Sequence, residues 1–103
     1  MHCVPLDKNH EIDGVRGGED GPICDAVCDC VAVECKSALG IDGDVAAQLK
    51  ACLRRMDCPG KKAAFCFKRM RMPGLYVLQY YKSELGAEVL LNPREICAAA
   101  RCG

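Results

Sequence analysis

The stretch Pro22-Ile23-Cys24-Asp25-Ala26-Val27-Cys28-Asp29-Cys30-Val31-Ala32-Val33-Glu34-Cys35-Lys36-Ser37-Ala38-Leu39-Gly40 decides how the chain is read. Ile23, Val27, Val31, Cys35, Ala38 and Leu39 recur at spacings of four, four, four, three and one, while Asp25, Asp29 and Lys36 lie on another side. That recurrence predicts an amphipathic helix with its apolar stripe toward a core. Pro22 suits the first turn, where an amide hydrogen is not needed, and Gly40 suits the end by tolerating the left-handed conformation.

Toward the C-terminus, Asp42 or Asp44 offers an N-cap oxygen to a second helix, in which Val45, Leu49, Cys52, Leu53 and Met56 form a stripe opposite Gln48, Lys50, Arg54 and Arg55. Pro59-Gly60 stops it, and the short connection over 40–43 predicts an antiparallel helical hairpin. A third helix is expected from Lys61 to about Met70, with Ala63, Cys66, Phe67 and Met70 inward, broken or bent by Pro73-Gly74. The run Leu75–Tyr81 has the composition of a strand, but Leu78, Tyr81 and Leu85 sit at helical spacing and a lone strand has no partner, so it reads as helix. Asn92-Pro93-Arg94-Glu95 predicts a capped start for a last short helix carrying Cys97 and Cys102. Asn92 caps, Pro93 takes the first turn and Glu95 reaches back to the cap amide. Toward the N-terminus, residues 1–21 are rich in Gly, Asp, Glu, His and Pro without an apolar period. The expected organisation is therefore an extended acidic tail over 1–21, which Cys3 could pin, and one disulfide-stapled domain over 22–103. The fold class is all-α, a small bundle of four to five short helices.

Composition points to cross-links as the main support. Ten cysteines occur in 103 residues with two Phe, three Tyr and no Trp, so the large anchors of an ordinary core are scarce. An even cysteine count suits closed pairing in an oxidising compartment, and the expected localisation is secreted, extracellular. The first seven residues lack a basic start and an apolar run, so the chain is expected to be a mature form, and no apolar segment approaches the roughly 20 residues that span a bilayer. No two cysteines are separated by two residues, which argues against a thioredoxin-like redox site and zinc knuckles. His2, Cys3 and His10 lie in a polar tail, and neither a metal nor a cofactor is expected. The net charge of zero is segregated, at −7 for residues 1–49 and +7 for residues 50–103. Lys50, Arg54, Arg55, Lys61, Lys62, Lys68, Arg69 and Arg71 form the candidate binding surface, able to steer the protein toward an anionic partner; the alternative is a set of solvated helix faces.

The cysteines Cys3, Cys24, Cys28, Cys30, Cys35, Cys52, Cys58, Cys66, Cys97 and Cys102 are all expected in structural disulfides, with a connectivity that spacing leaves open. On the helical reading, Cys24 and Cys28 lie one turn apart on the first helix, and Cys97 and Cys102 just over a turn apart on the last. Two parallel bridges between those pairs would join the two ends of the bundle. Cys52 and Cys66 would staple the second helix to the third, leaving Cys3, Cys30, Cys35 and Cys58 for two more bridges. This arrangement over residues 23–102 resembles the saposin-like family, including the Pro-containing entry Asn92–Cys97 into the final helix. The resemblance implies a saposin-like helical bundle and lipid interaction. The ending Glu95–Gly103 and the Cys30-x4-Cys35 spacing are also similar to the large cone-snail toxins of the con-ikot-ikot type, which implies action on receptors or channels.

No enzyme is expected. The two histidines lie in the tail, no Cys-His or Ser-His pair or Gly-rich phosphate loop is evident, and Asp25 with Asp29 suits a solvated helix face. The leading expectation is a secreted, venom-type toxin or ligand acting on an extracellular receptor or ion channel, with no nucleic-acid partner and a possible homodimer. The alternative is a protein of anionic lipid membranes, with Phe65, Phe67, Met70, Met72 and Leu75 beside Arg69 and Arg71 opening onto lipid instead of filling a small core. A dimeric structural or signalling protein is the third reading.

Overall fold

The computed structural model describes residues 1–5, 11–12, 15–16 and 24–102. In chain order the elements are β1 (Cys3–Pro5), β2 (Glu11–Ile12), β3 (Val15–Arg16), β4 (Ala26–Cys28), β5 (Val31–Leu39), α1 (Gly43–Arg55), β6 (Lys62–Met70), α2 (Gly74–Leu85), β7 (Val89–Leu91) and α3 (Arg94–Ala100). β1, β4, β5, β6 and β7 form one sheet in that order, and β2 pairs with β3. The β1–β4 and β4–β5 pairs are antiparallel, whereas β5, β6 and β7 are parallel and linked through α1 and α2. The architecture is α/β, which corrects the expected all-α, saposin-like bundle.

The correction falls on two segments. Residues 26–39 are a β-hairpin in place of the first helix; Asp29 and Cys30 turn the chain, with Asp29 at φ 52°. The helix expected over 61–70 is β6. A spacing of four is a multiple of two, so it fits an extended strand as well as a helix. Consecutive burial distinguishes them: Ala32, Val33 and Glu34, and opposite them Ala63, Ala64, Phe65 and Cys66, are all buried. Strands covered on both faces read as unbroken apolar runs, without the alternation that marks a half-exposed strand. Pro22 and Ile23, which were to start the helix, lie outside the described residues, as does much of the 1–21 segment; Cys3–Pro5 pairs with β4 as an edge strand.

The other helices form close to where they were expected, although α3 ends at Ala100 and Cys102 lies beyond it. Asp42 caps α1 through its side chain, Leu75–Tyr81 lies in α2, and Cys97 lies in α3. The start of α3 differs in detail, because Pro93 is the N-cap residue and makes no side-chain bond. Asn92 instead has φ 50° and turns its amide to β6, accepting from the Phe67 N–H at 2.8 Å and donating to the Phe67 carbonyl at 3.1 Å. Its side chain thereby continues the β6–β7 ladder for one more pair of bonds.

α1 and α2 cover one face of the sheet, packing Leu49, Leu53, Val77 and Tyr81 on Ala32, Ala63, Phe65 and Val89. The opposite face holds Ala26, Cys28, Val33, Ala64 and Cys66 beneath Ile96 of α3. The disulfides follow this division and correct the expected pairing: Cys3–Cys28, Cys24–Cys52, Cys35–Cys102 and Cys66–Cys97. Cys24 packs in the α1/α2 layer and Cys28 in the α3 layer, so the two cannot both reach the C-terminal helix. Cys66 faces α3, away from Cys52. Cys30 and Cys58 carry free thiols, so eight of the ten cysteines are bridged. Among the described residues no helix is long and apolar enough to cross a membrane.

Candidate functional site

Because β5, β6 and β7 are parallel, their C-terminal ends share one edge, and the connections into α1, α2 and α3 all leave from it. Ligands of open α/β sheets bind at this edge, where connecting loops and helix starts converge. The connection from β5 to α1 is held rigidly. Asp42 Oδ1 accepts from the N–H groups of Asp44 at 2.9 Å and Val45 at 3.3 Å. Tyr81 reaches up from α2, donating its hydroxyl to the Gly40 carbonyl at 2.7 Å and accepting from the Asp42 N–H at 3.2 Å. Burial, reinforced by the Asp42 carboxylate against the opposing pull of that N–H, pushes the Tyr81 phenol up to about 12, so it stays a neutral donor.

Arg71 is placed by the same loop. Its N–H donates to the Leu39 carbonyl at 2.8 Å, and its side chain lies over Gly40, where a β-carbon would stand 3.2 Å from Arg71 Cδ. Gly40 thus supplies space for an arginine stem; it is not among the positive-φ glycines, which corrects its expected role as a helix end. Two clefts open at this edge. One, of about 310 Å³, is lined by Lys36, Asp42, Arg69, Arg71 and Tyr81 among others. The other, of about 320 Å³, lies toward α3 between Lys36, Phe67, Lys68, Asn92 and the Cys35–Cys102 and Cys66–Cys97 bridges. They share Lys36 and Ser37, so Lys36, Lys68, Arg69 and Arg71 surround a joint rim on which Asp42 is the acid. An adjoining groove is lined by Ile41, Met72 and Tyr76, and the apolar side chains Ile41, Leu75 and Tyr76 are 44%, 63% and 59% exposed.

The fold divides the eight bases singled out from the sequence. Lys68, Arg69 and Arg71 reach the rim and are exposed. Lys50 and Arg54 are exposed on α1. Lys61 is occupied at the far edge, its ammonium donating to the carbonyls of Leu53 at 2.6 Å and Met56 at 3.0 Å, which closes the C-terminal end of α1. Lys62 pairs with Glu88 at 3.3 Å, and Arg55 is engaged within the fold. Since a strand rises about 3.3 Å per residue, Lys62 lies about 20 Å along β6 from Lys68 and about 23 Å from Arg69. Lys36, missed by sequence reasoning, joins the rim because β5 pairs in parallel register with β6, setting Lys36 opposite Phe67. The apolar set considered for lipid contact divides as well: Phe65 is fully buried, Phe67, Met70 and Met72 are half-buried, and Leu75 is exposed.

One acid is buried. Glu34 is 4% exposed, and burial, with a hydrogen bond to Asp25, pushes its carboxyl up to about 8. At neutral pH it is therefore a proton donor to Asp25, whose Oδ2 also accepts from the Cys35 N–H at 2.8 Å. This pair ties the residue just before β4 to β5. Among the described residues no three His, Cys, Asp or Glu side chains gather as metal ligands. No family model, no curated protein and no solved structure matches the chain.

Proposed function

We propose that this chain is a secreted, non-catalytic ligand protein of the venom-toxin type. It docks the C-terminal edge of its parallel strands onto an acidic site of an extracellular receptor or ion channel. Its disulfide content is typical of extracellular proteins. The observation that carries the reading is the gathering of Lys36, Lys68, Arg69 and Arg71 around two adjoining clefts, next to exposed Ile41 and Tyr76. Cations steer the encounter and set its orientation, and an exposed aromatic supplies an anchor that loses water on contact. Rigid loops lower the ordering cost of binding, and Tyr81, Asp42 and two disulfides hold the loops here.

The test is electrophysiology on a panel of ligand-gated and voltage-gated channels, with the folded protein and its Arg69→Ala/Arg71→Ala variant. Current modulation at micromolar dose, weakened at least tenfold in the variant, supports the reading. Inactivity across the panel, or equal potency of the variant, counts against it.

The exposed Ile41, Leu75 and Tyr76 beside Arg69 and Arg71 also favour a second reading, adsorption to anionic lipid. Vesicle co-sedimentation decides it: adsorption that rises with anionic lipid and falls with salt is expected, and salt-independent or absent binding rejects it.

A further inference from the structure

The edge of the sheet opposite the clefts holds the two cysteines outside the four bridges. Cys30 ends the β4–β5 turn, and Cys58 lies in the connection from α1 to β6. The first residue of β6 binds the two regions together, the Lys62 N–H donating to the Cys30 carbonyl at 3.0 Å. Both side chains are half-buried, Cys58 packs against the α1/α2 core, and the neighbouring Cys30 thiol pushes the Cys58 thiol up. Spacing in the chain tells the same story. Cys30 follows Cys24 by six residues, Cys58 follows Cys52 by six, and Cys24 is already bonded to Cys52. A hairpin strand and a helix end therefore run away from one bridge and meet again, one cysteine on each, after equal lengths of chain.

We propose that Cys30 and Cys58 form a modification site, closing as a fifth disulfide that seals the N-terminal edge of β5–α1–β6. The oxidant is a small-molecule disulfide such as glutathione disulfide. A thiolate of the pair attacks one of its sulfurs and breaks that bond, releasing one glutathione as thiolate. The second cysteine, losing its proton, then displaces the other glutathione from the mixed disulfide. Two thiols thus give up two protons and two electrons, and one glutathione disulfide becomes two glutathione molecules. Neither cleft is touched, because both lie at the other end of the strands. The bridge fastens the end of α1 in addition to the Lys61 contacts with its last carbonyls. The inference is independent of what the rim binds.

Intact-mass measurement tests it on the full chain. The folded protein is equilibrated with glutathione disulfide, then denatured in guanidinium with iodoacetamide and no reductant. No added carbamidomethyl group is expected, together with a proteolytic fragment in which the Cys30 and Cys58 peptides are joined. Relative to the four-bridge form, the melting temperature should rise by about 5–15 °C. The Cys30→Ala/Cys58→Ala variant should fold and show no such rise under the same treatment. Carbamidomethylation of both residues after equilibration, two stable glutathione adducts, or a bridge to any other cysteine would overturn the proposal.

Discussion

The two faces of the sheet are held by different forces. On one face, α1 and α2 bury Leu39, Leu49, Phe65, Val77 and Tyr81, and a single bridge, Cys24–Cys52, crosses the layer. On the other, the cover is α3, seven residues long, with Ile96 as its one buried side chain. A helix of that length is not stable by itself, since nucleation costs more than one further turn returns. Cys97 is bonded to Cys66, Cys102 just beyond the helix is bonded to Cys35, and Cys3–Cys28 lies on the same side. Burial supports the layer that has large side chains, and sulfur supports the layer that lacks them.

The sharpest way to break this contrast is Phe65→Ala. The ring is fully buried with its centroid 4.4 Å from that of Tyr81, so its loss should cost about 3–5 kcal/mol in denaturant unfolding and loosen α1 and α2. Removing the Cys66–Cys97 bridge by Cys66→Ala/Cys97→Ala should cost about 2–4 kcal/mol. Hydrogen exchange should then accelerate in α3 while α1 and α2 keep their protection; equal loss in all three helices would show that the faces are not separable. Tyr81→Phe, which leaves the Gly40 carbonyl and Asp42 N–H without their partner, should cost about 1–3 kcal/mol and weaken partner binding by loosening the β5–α1 loop.

A fourth effect is a slope with pH. The Glu34 carboxyl is raised in the folded protein from 4.5 to about 8, so the native state holds a proton that the unfolded chain releases across that interval. Its contribution is fully present below about pH 4.5 and is lost as pH rises through about 8. Denaturant midpoints at pH 5 and pH 9 should therefore differ more in the parent protein than in Glu34→Gln, and identical slopes would remove Glu34 as the cause. The smallest change in stability is expected from Arg71→Ala at the exposed rim, within about 0.5 kcal/mol. Gly40→Ala, which displaces the Arg71 stem, should lower partner binding in the same direction with little unfolding.

Local signals in the chain were enough to establish the cysteine-stapled character, a helix capped by Asp42 or Asp44, the helical reading of Leu75–Tyr81 and the short helix around Cys97, and the structure chose Asp42 as the cap. Each depends on neighbours within a turn or two: a cap oxygen, a stripe at helical spacing, a Pro-containing entry. The strands were not legible in the same way. β5 and β6 are buried on both faces over residues 32–34 and 63–66, so those stretches present no alternation, and the parallel partner of each is about 31 residues distant along the chain. The helical reading of residues 22–39 and of Lys61 to about Met70 followed local spacing and lost to a ladder of backbone bonds that exists only when β5 and β6 are extended together. The site followed the same logic. Lys68, Arg69 and Arg71 stood out as a basic run, but Lys36 joined them through strand register, and Lys61 and Lys62 were carried to the opposite edge by the length of β6. Which cysteines meet was likewise decided by the face each one takes in the sheet, a property that belongs to the assembled layers and is absent from any short stretch of sequence.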